Sequence, residues 1–119
     1  MKIAISADGT NLSAPVDPRF GRAQTFIFFN TEDGSFEALP NEQVRNLPQG
    51  AGIQAAQQMS EHQAQVLLTG HCGPNAFRAL AAANVEVFVG MSGTVQEAID
   101  KYQSGSLQAT AAPDVEGHW

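Results

Sequence analysis

Two short apolar runs, each followed by a glycine turn and a helical pattern, constrain the fold of this chain more than any other feature. Residues 66–69 lead through the turn Gly70–Asn75 into one helical pattern, and residues 85–89 lead through Gly90–Thr94 into another. Strand, turn and helix in this order predict parallel strands whose faces are covered by helices. The chain is therefore expected to contain at least one pair of parallel strands.

Three further strands are predicted in the first part of the chain. They cover residues 2–7, 24–30 and 36–39, and the acidic turn 32–35 joins the last two as a hairpin. The run Phe26–Phe29 is apolar at every position, which is typical of a strand buried on both faces. An antiparallel hairpin beside parallel strands indicates a mixed sheet.

One more helix is predicted from Gly52 to His62, with Ile53, Ala56 and Met59 on its inner side, and residues 41–50 before it are expected to form a polar loop. The resulting order is β-β-β-α-β-α-β-α. It predicts an α/β domain with a mixed five-stranded sheet and helices on its faces, similar to a small ribonuclease H-like fold.

Length, charge and cysteine content narrow the class of protein. The 119 residues fit one α/β domain over 1–107 and a flexible C-terminal tail over 108–119. Twelve acidic and six basic residues give a net charge of −6, which argues against nucleic acid binding. No apolar stretch approaches the roughly 20 residues of a membrane span, and no signal peptide is recognised. The single cysteine fits a reducing, cytoplasmic location.

Three glycine-containing turns are expected to meet at the carboxyl edge of the sheet, where parallel α/β proteins bind their ligands. We call this expected surface the rim. Glycine lets backbone N–H groups approach a ligand, and the first turn of a helix attracts anions. Each glycine alone also has a purely structural explanation as a tight turn. The candidate binding residues on these turns are Gly50, Gly52, Gly70, His71, Cys72, Gly73, Asn75, Gly93 and Thr94.

A fourth candidate segment is Arg19-Phe20-Gly21-Arg22, which holds two of the six basic residues of the chain. Arginine side chains bind oxo and sulfido anions through several N–H donors at once. The two guanidinium groups are also expected to form solvated ion pairs with Asp8 and Asp17 if no anion binds there. The sequence alone leaves both interpretations open.

The pair His71-Cys72 has three interpretations. A thiol and an imidazole are soft-metal ligands, which favours a metal contact. A cysteine near a helix N-terminus also has a stabilised thiolate, which allows a nucleophilic enzyme. As a third possibility, Cys72 is an inert small residue of the turn.

Four motifs in the correct order resemble the nitrogenase iron–molybdenum cofactor biosynthesis family. They are Phe20-Gly21-Arg22-Ala23, Gly50-Ala51-Gly52, Gly70-His71-Cys72-Gly73-Pro74-Asn75-Ala76 and Gly90-Met91-Ser92-Gly93-Thr94-Val95, and the resemblance runs from about residue 2 to residue 107. Family members often have a histidine where this chain has Arg19, and often lack the cysteine.

The resemblance implies a cytoplasmic carrier of a preformed anionic metal–sulfur cluster, not an enzyme, of the kind found in anaerobic bacteria. The implied cargo is a molybdenum–copper sulfide cluster or an iron–molybdenum type cluster, with Cys72 and His71 as metal contacts. Implied partners are cluster-assembly or ATPase proteins, and the implied state is a monomer or weak homodimer. The alternative is a protein-interaction or regulatory domain of a cluster-assembly system, without turnover.

Overall fold

The computed structural model describes residues 1–110, except for the side chain of Gln43. Most of the tail predicted for residues 108–119 therefore lies outside the described residues. The strands are β1 (Lys2–Ala7), β2 (Thr25–Asn30), β3 (Phe36–Pro40), β4 (Val66–Leu68) and β5 (Glu86–Phe88). The helices are α1 (Glu42–Arg45), α2 (Ala51–Glu61), α3 (Pro74–Ala82) and α4 (Val95–Gln103).

The strands form one mixed five-stranded sheet in the order β3-β2-β1-β4-β5, which confirms the predicted fold class. Strands β1, β2 and β3 pair antiparallel, whereas β4 is parallel to both β1 and β5. Ile5 of β1 lies opposite Ile27 of β2 and Leu68 of β4. The carboxyl ends of β1, β4 and β5 consequently meet at one edge of the sheet.

Both faces of the sheet are covered, and alternate residues of β2 serve the two sides. Phe26 and Phe28 pack with α2 and α3, where Met59 and Leu80 are fully buried. Ile27 and Phe29 belong to the opposite core, which is closed by Val95, Ala98 and Ile99 of α4. The all-apolar run of β2 is thus explained by burial on both faces.

The inner side of α2 was predicted wrongly at Ile53, which is 40% exposed. The buried residues are Ala51, Gly52, Ala55, Ala56 and Met59. The helix begins at Ala51 with Gly50 in the left-handed conformation before it, and its small residues face the protein. Spacing of three or four residues from Ala51 and Gly52 excludes position 53 from that side.

The polar segment 41–50 contains the short helix α1 instead of being loop throughout. Asn41, only 1% exposed, holds its start, because its Nδ2 donates to the carbonyls of Gly21 (3.2 Å) and Ala23 (2.9 Å). This segment is therefore attached to the part of the chain that carries the two arginines.

The long connection between β1 and β2, residues 8–24, crosses the carboxyl edge of the sheet, and we call it the crossing loop. Its amino-terminal half contacts the last turn and α4: Val16 N–H donates to the Gly93 carbonyl, and Val95 N–H donates to the Ala14 carbonyl, both at 2.9 Å. Its carboxyl-terminal half lies on the other two turns. The crossing loop thereby joins all three predicted turns into one surface.

Two glycines allow the carboxyl-terminal half of the crossing loop to approach closely. A Cβ atom on Gly70 would lie 2.6 Å from the Pro18 Cα, and one on Gly21 would lie 2.7 Å from the Gly52 nitrogen. Distances this short are not tolerated against backbone atoms. At these positions the missing side chain makes room for the protein itself, and not for a ligand as the sequence suggested.

We expect Gly70→Ala to lower the free energy of unfolding by about 2–3 kcal/mol, because the new methyl group overpacks the crossing loop. Urea unfolding at neutral pH measures this loss. Gly34→Ala is the control: its φ of +74° is strained for alanine, but nothing lies within 4 Å of the added Cβ. The control should lose about 1 kcal/mol, and equal losses in both variants would contradict the close contact.

Candidate functional site

The rim consists of the turns 50–52, 70–75 and 90–94 together with residues 18–22 of the crossing loop. Arg19 and His71 are joined by an isolated parallel bridge, which places the arginine segment beside the turn after β4. Gly21 against Gly52 places the same segment beside the start of α2. The arginines therefore lie between the first turns of α2 and α3.

Arg19 has features of both interpretations of the arginines, the ion pair with an aspartate and the binding of an anion. Its Nε lies 3.7 Å from Oδ1 of Asp17, and the side chain is 42% exposed, whereas that of Asp17 is 4% exposed. The pair is thus a guanidinium at the surface held near a buried carboxylate. The partial exposure of the Arg19 side chain is compatible with anion binding on the rim as well as with the ion pair.

Arg22 makes a contact that neither interpretation anticipated. Its Nη1 donates to the backbone carbonyls of Arg45 (2.8 Å) and Leu47 (2.9 Å). Within residues 1–110 no ion pair joins Arg22 to Asp8 or Asp17, and its Nε and Nη2 have no hydrogen-bond partner there. The two carbonyls fix the plane of the guanidinium and leave the Nε–Nη2 side available for two-point binding of an anion.

Helices α2 and α3 begin without side-chain caps. Gly50 (φ +79°) precedes α2 and Gly73 precedes α3, and in the described part of the chain no side chain accepts from the first N–H groups of either helix. Pro74 is the first residue of α3. Uncapped N–H groups and the helix dipole make both helix starts favourable places for negative charge.

Helix α4 differs, because its first turn is capped by its own residues. Thr94 Oγ1 accepts from the Glu97 N–H (3.1 Å), and Glu97 Oε1 accepts from the Thr94 N–H (3.0 Å). These hydrogen bonds from the Thr94 backbone and side chain lower the pKa of Glu97. Gly93 lies against the same carboxylate. This end of the rim, with Gly93 and Thr94, thus presents a negative charge.

Several candidate residues are inaccessible. Phe20 and Cys72 are both 0% exposed, and the Phe20 ring packs against Phe26 with centroids 5.4 Å apart. Cys72 Sγ lies 3.8 Å from the Gly73 carbonyl oxygen. The side chain of Cys72 therefore packs in the core and does not face the rim, which favours the third interpretation, an inert small residue of the turn.

The remaining candidates divide by exposure. Gly21, Gly52, Gly70 and Gly73 are buried, His71 is half-buried, and Gly50 and Asn75 are exposed. The Asn75 Oδ1 accepts from Arg78 Nη2 at 2.5 Å, which adds a third guanidinium to this side of the rim. Over residues 1–110 no group of three or more His, Cys, Asp or Glu side chains is placed to hold a metal ion. The donors gathered at the rim are N–H groups.

Sequence reasoning missed three contributors to this geometry. Asp17 was considered only as an ion-pair partner, and the carbonyls of Arg45 and Leu47 were not considered. The sequence Asp17-Pro18-Arg19 carries a local signal, since aspartate before proline favours a turn closed by the side chain.

No helix among residues 1–110 has the length and hydropathy needed to cross a bilayer.

Comparison with known proteins agrees with the fold. The sequence profile of the family described as "Dinitrogenase iron-molybdenum cofactor" matches residues 1–105. The apo form of the orange protein from Desulfovibrio gigas is 39% identical, with 96% of each chain covered and a TM-score of 0.94. A Thermotoga protein of the DUF35 family is 36% identical, with 98% of each chain covered and a TM-score of 0.83.

A protein from Methanocaldococcus jannaschii shares the fold at 15% identity, with a TM-score of 0.73 over 95% of this chain and 97% of that one. No curated protein sequence matches the chain.

Glu97 should make folding stability depend on pH in the acid range. A carboxyl whose pKa is lowered in the folded state stabilises the protein above its unfolded pKa, near the ordinary value of 4.5, and this stabilisation is lost as pH falls through the folded value. Thermal unfolding of the wild type and Glu97→Gln from pH 3 to 7 checks this. The difference in Tm should be largest at neutral pH and shrink with acidification; a difference independent of pH would contradict it.

The buried thiol should react slowly with alkylating reagents. We expect native Cys72 to react with iodoacetamide roughly tenfold or more slowly than in urea-unfolded protein at the same pH, because the thiolate must be accessible to attack. Mass spectrometry of timed samples measures the two rates. Equal rates, or a native rate above that of a free thiol, would support the nucleophile interpretation instead.

Proposed function

Because the chain belongs to the dinitrogenase iron-molybdenum cofactor family, we propose that it binds and carries a preformed anionic metal–sulfur cluster at the rim, without catalysing turnover. One observation supports the proposal most: the backbone of the segment that carries Arg19 and Arg22 lies beside the uncapped starts of both α2 and α3. Two guanidinium groups and two helix starts supply N–H donors without supplying a cage of metal ligands.

The chemistry of these donors suits a cluster that brings its own sulfides. Such a cluster is an anion whose outer sulfur atoms accept hydrogen bonds, so it does not need four protein thiolates. Removing it from water is unfavourable unless donors are already in position. Arg22 meets this condition, since the Arg45 and Leu47 carbonyls hold its guanidinium plane before any ligand binds.

The cargo we favour is a molybdenum–copper sulfide cluster, with an iron–molybdenum type cluster as the alternative. This choice follows the sequence resemblance to small cluster carriers and the 39% identity to the orange protein. We assign His71, half-buried beside Arg19, as the soft-metal contact. Cys72 is assigned to the core and not to the cargo, because its side chain is fully buried.

Reconstitution tests this function directly. Purified protein is incubated anaerobically with tetrathiomolybdate and Cu(I) and desalted, and its visible absorption and metal content are measured. Retained colour with stoichiometric molybdenum and copper is expected. A colourless protein that retains no metal contradicts the proposal, and the same experiment with an iron–molybdenum cluster distinguishes the two cargos.

Arg22→Gln should weaken cluster binding about tenfold or more, the worth of a charge-assisted two-point hydrogen bond. The matched control is Lys101→Gln, which removes the same charge from the last turn of α4, away from the rim. Titration of absorbance at low and moderate salt compares the variants. If both variants bind the cluster equally weakly, the loss comes from net charge alone, and this result would contradict specific binding by Arg22.

A second function, recognition of an assembly or ATPase partner at the same edge, is favoured by the exposed Ile53 next to Gly50. A partner that covered this edge would remove the Ile53 side chain from water, which is favourable for apolar surface. Pull-down with and without bound cluster separates the two functions. Capture of a partner by the metal-free protein, unchanged by loading and lost in Ile53→Ser, would favour the interaction domain.

A further inference from the structure

The buried carboxylate of Asp17 holds both ends of the arginine segment. Its Oδ1 accepts from the Arg19 N–H at 3.0 Å, and its Oδ2 accepts from the Gln24 N–H at 3.2 Å. The same Oδ1 lies 3.7 Å from Arg19 Nε. One side chain thus holds the backbone on both sides of the arginine segment, at Arg19 and at Gln24 just before β2. It also lies close to the Arg19 guanidinium.

Asp17 is itself fixed by the sheet. Its N–H donates to the Ser6 carbonyl (2.9 Å), and its own carbonyl accepts from Ser6 Oγ (2.8 Å). The only hydroxyl hydrogen of Ser6 is donated to the Asp17 carbonyl. In the 2.7 Å contact between Ser6 Oγ and Thr69 Oγ1, Thr69 is therefore the donor. Hydrogen bonds therefore attach Asp17 to β1 directly and, through Ser6, to Thr69 at the end of β4.

A carboxylate is the side chain that this position requires. Two backbone N–H groups point at two different oxygens, and both oxygens of an ionised aspartate accept. In asparagine one of the two would become an NH₂ group facing another donor. The loss falls on the segment that carries the arginines, because Ser6 continues to hold the backbone of residue 17 itself.

We propose that Asp17 is a positioning residue for the anion site: without touching the cluster, it holds Arg19 in the conformation that binds it. This inference rests on the proposed function. A positioning role predicts that loss of the Asp17 carboxylate weakens anion binding, whereas electrostatics alone predicts that it strengthens binding. Removing a negative charge near an anion site should strengthen binding through space, whereas losing the position of the guanidinium weakens it.

The test compares affinities of the full-length folded protein for tetrathiomolybdate, measured by absorbance titration. Asp17→Asn should weaken binding about tenfold, comparable to the loss of one charge-assisted hydrogen bond. Phe29→Ala is the control for lost stability, since Phe29 is buried and pairs with Ile3 at the edge of the sheet opposite the rim. Its folded form should bind as the wild type does.

A double-mutant cycle separates positioning from a general structural role. If Asp17 acts through Arg19, the effect of Asp17→Asn should shrink to about twofold or less in an Arg19→Gln background. Undiminished weakening in that background would overturn the inference. If Asp17→Asn does not fold, Ser6→Ala replaces it, because it releases the Asp17 carbonyl while keeping the carboxylate, and a several-fold loss is expected.

The outcomes separate this inference from the function on which it rests. Wild-type binding with unchanged or tighter binding by Asp17→Asn overturns the role of Asp17 alone. Failure of the wild type to bind tetrathiomolybdate, with or without Cu(I), overturns the proposed function and this inference with it.

Discussion

The site depends on the way in which the crossing loop is fastened across the carboxyl edge of the sheet. Backbone hydrogen bonds attach its first half to the last turn and α4, while close approach at Gly70 and Gly21 seats its second half. Without this attachment, the three turns would remain separate ends of strands. With it, residues distant in sequence form one surface on which the arginine segment lies beside two helix starts.

Charge is distributed unevenly around that surface. The chain carries a net charge of −6, yet Arg19, Arg22 and Arg78 all lie near the starts of α2 and α3. Glu97 occupies the start of α4 instead. An anion on the rim is therefore attracted toward one side and repelled from the other, so the local arrangement of three arginines outweighs the overall charge balance at this place.

Much of the fold could be predicted from the sequence, because its main signals are local. The all-apolar run Phe26–Phe29 depends on neighbouring residues only, and its predicted burial on both faces of the sheet is confirmed. The phase of α2 could not be predicted from Ile53, since contact between Gly21 and Gly52 decides which side of the helix faces inward. Local periodicity contains no information about that contact.

The candidate site was less predictable for the same reason. The partners of Arg22 are carbonyls 23 and 25 residues away, and every residue has a carbonyl, so no residue type marks them. The direction of the Cys72 side chain depends on turn geometry and not on spacing. Sequence reasoning located the rim and its residues, but the orientation of each side chain required the tertiary structure.

Burial of the only cysteine has a consequence for how a carrier of the proposed kind would release its cargo. With no thiolate within reach, no metal–cysteine bond must break on unloading, and His71 is the one side chain proposed to contact the metal. Retention would rest mainly on ionic hydrogen bonds, which respond to ionic strength and to a competing basic surface. Delivery would then follow from electrostatic competition with an acceptor protein, at the speed of dissociation and independent of any reductant.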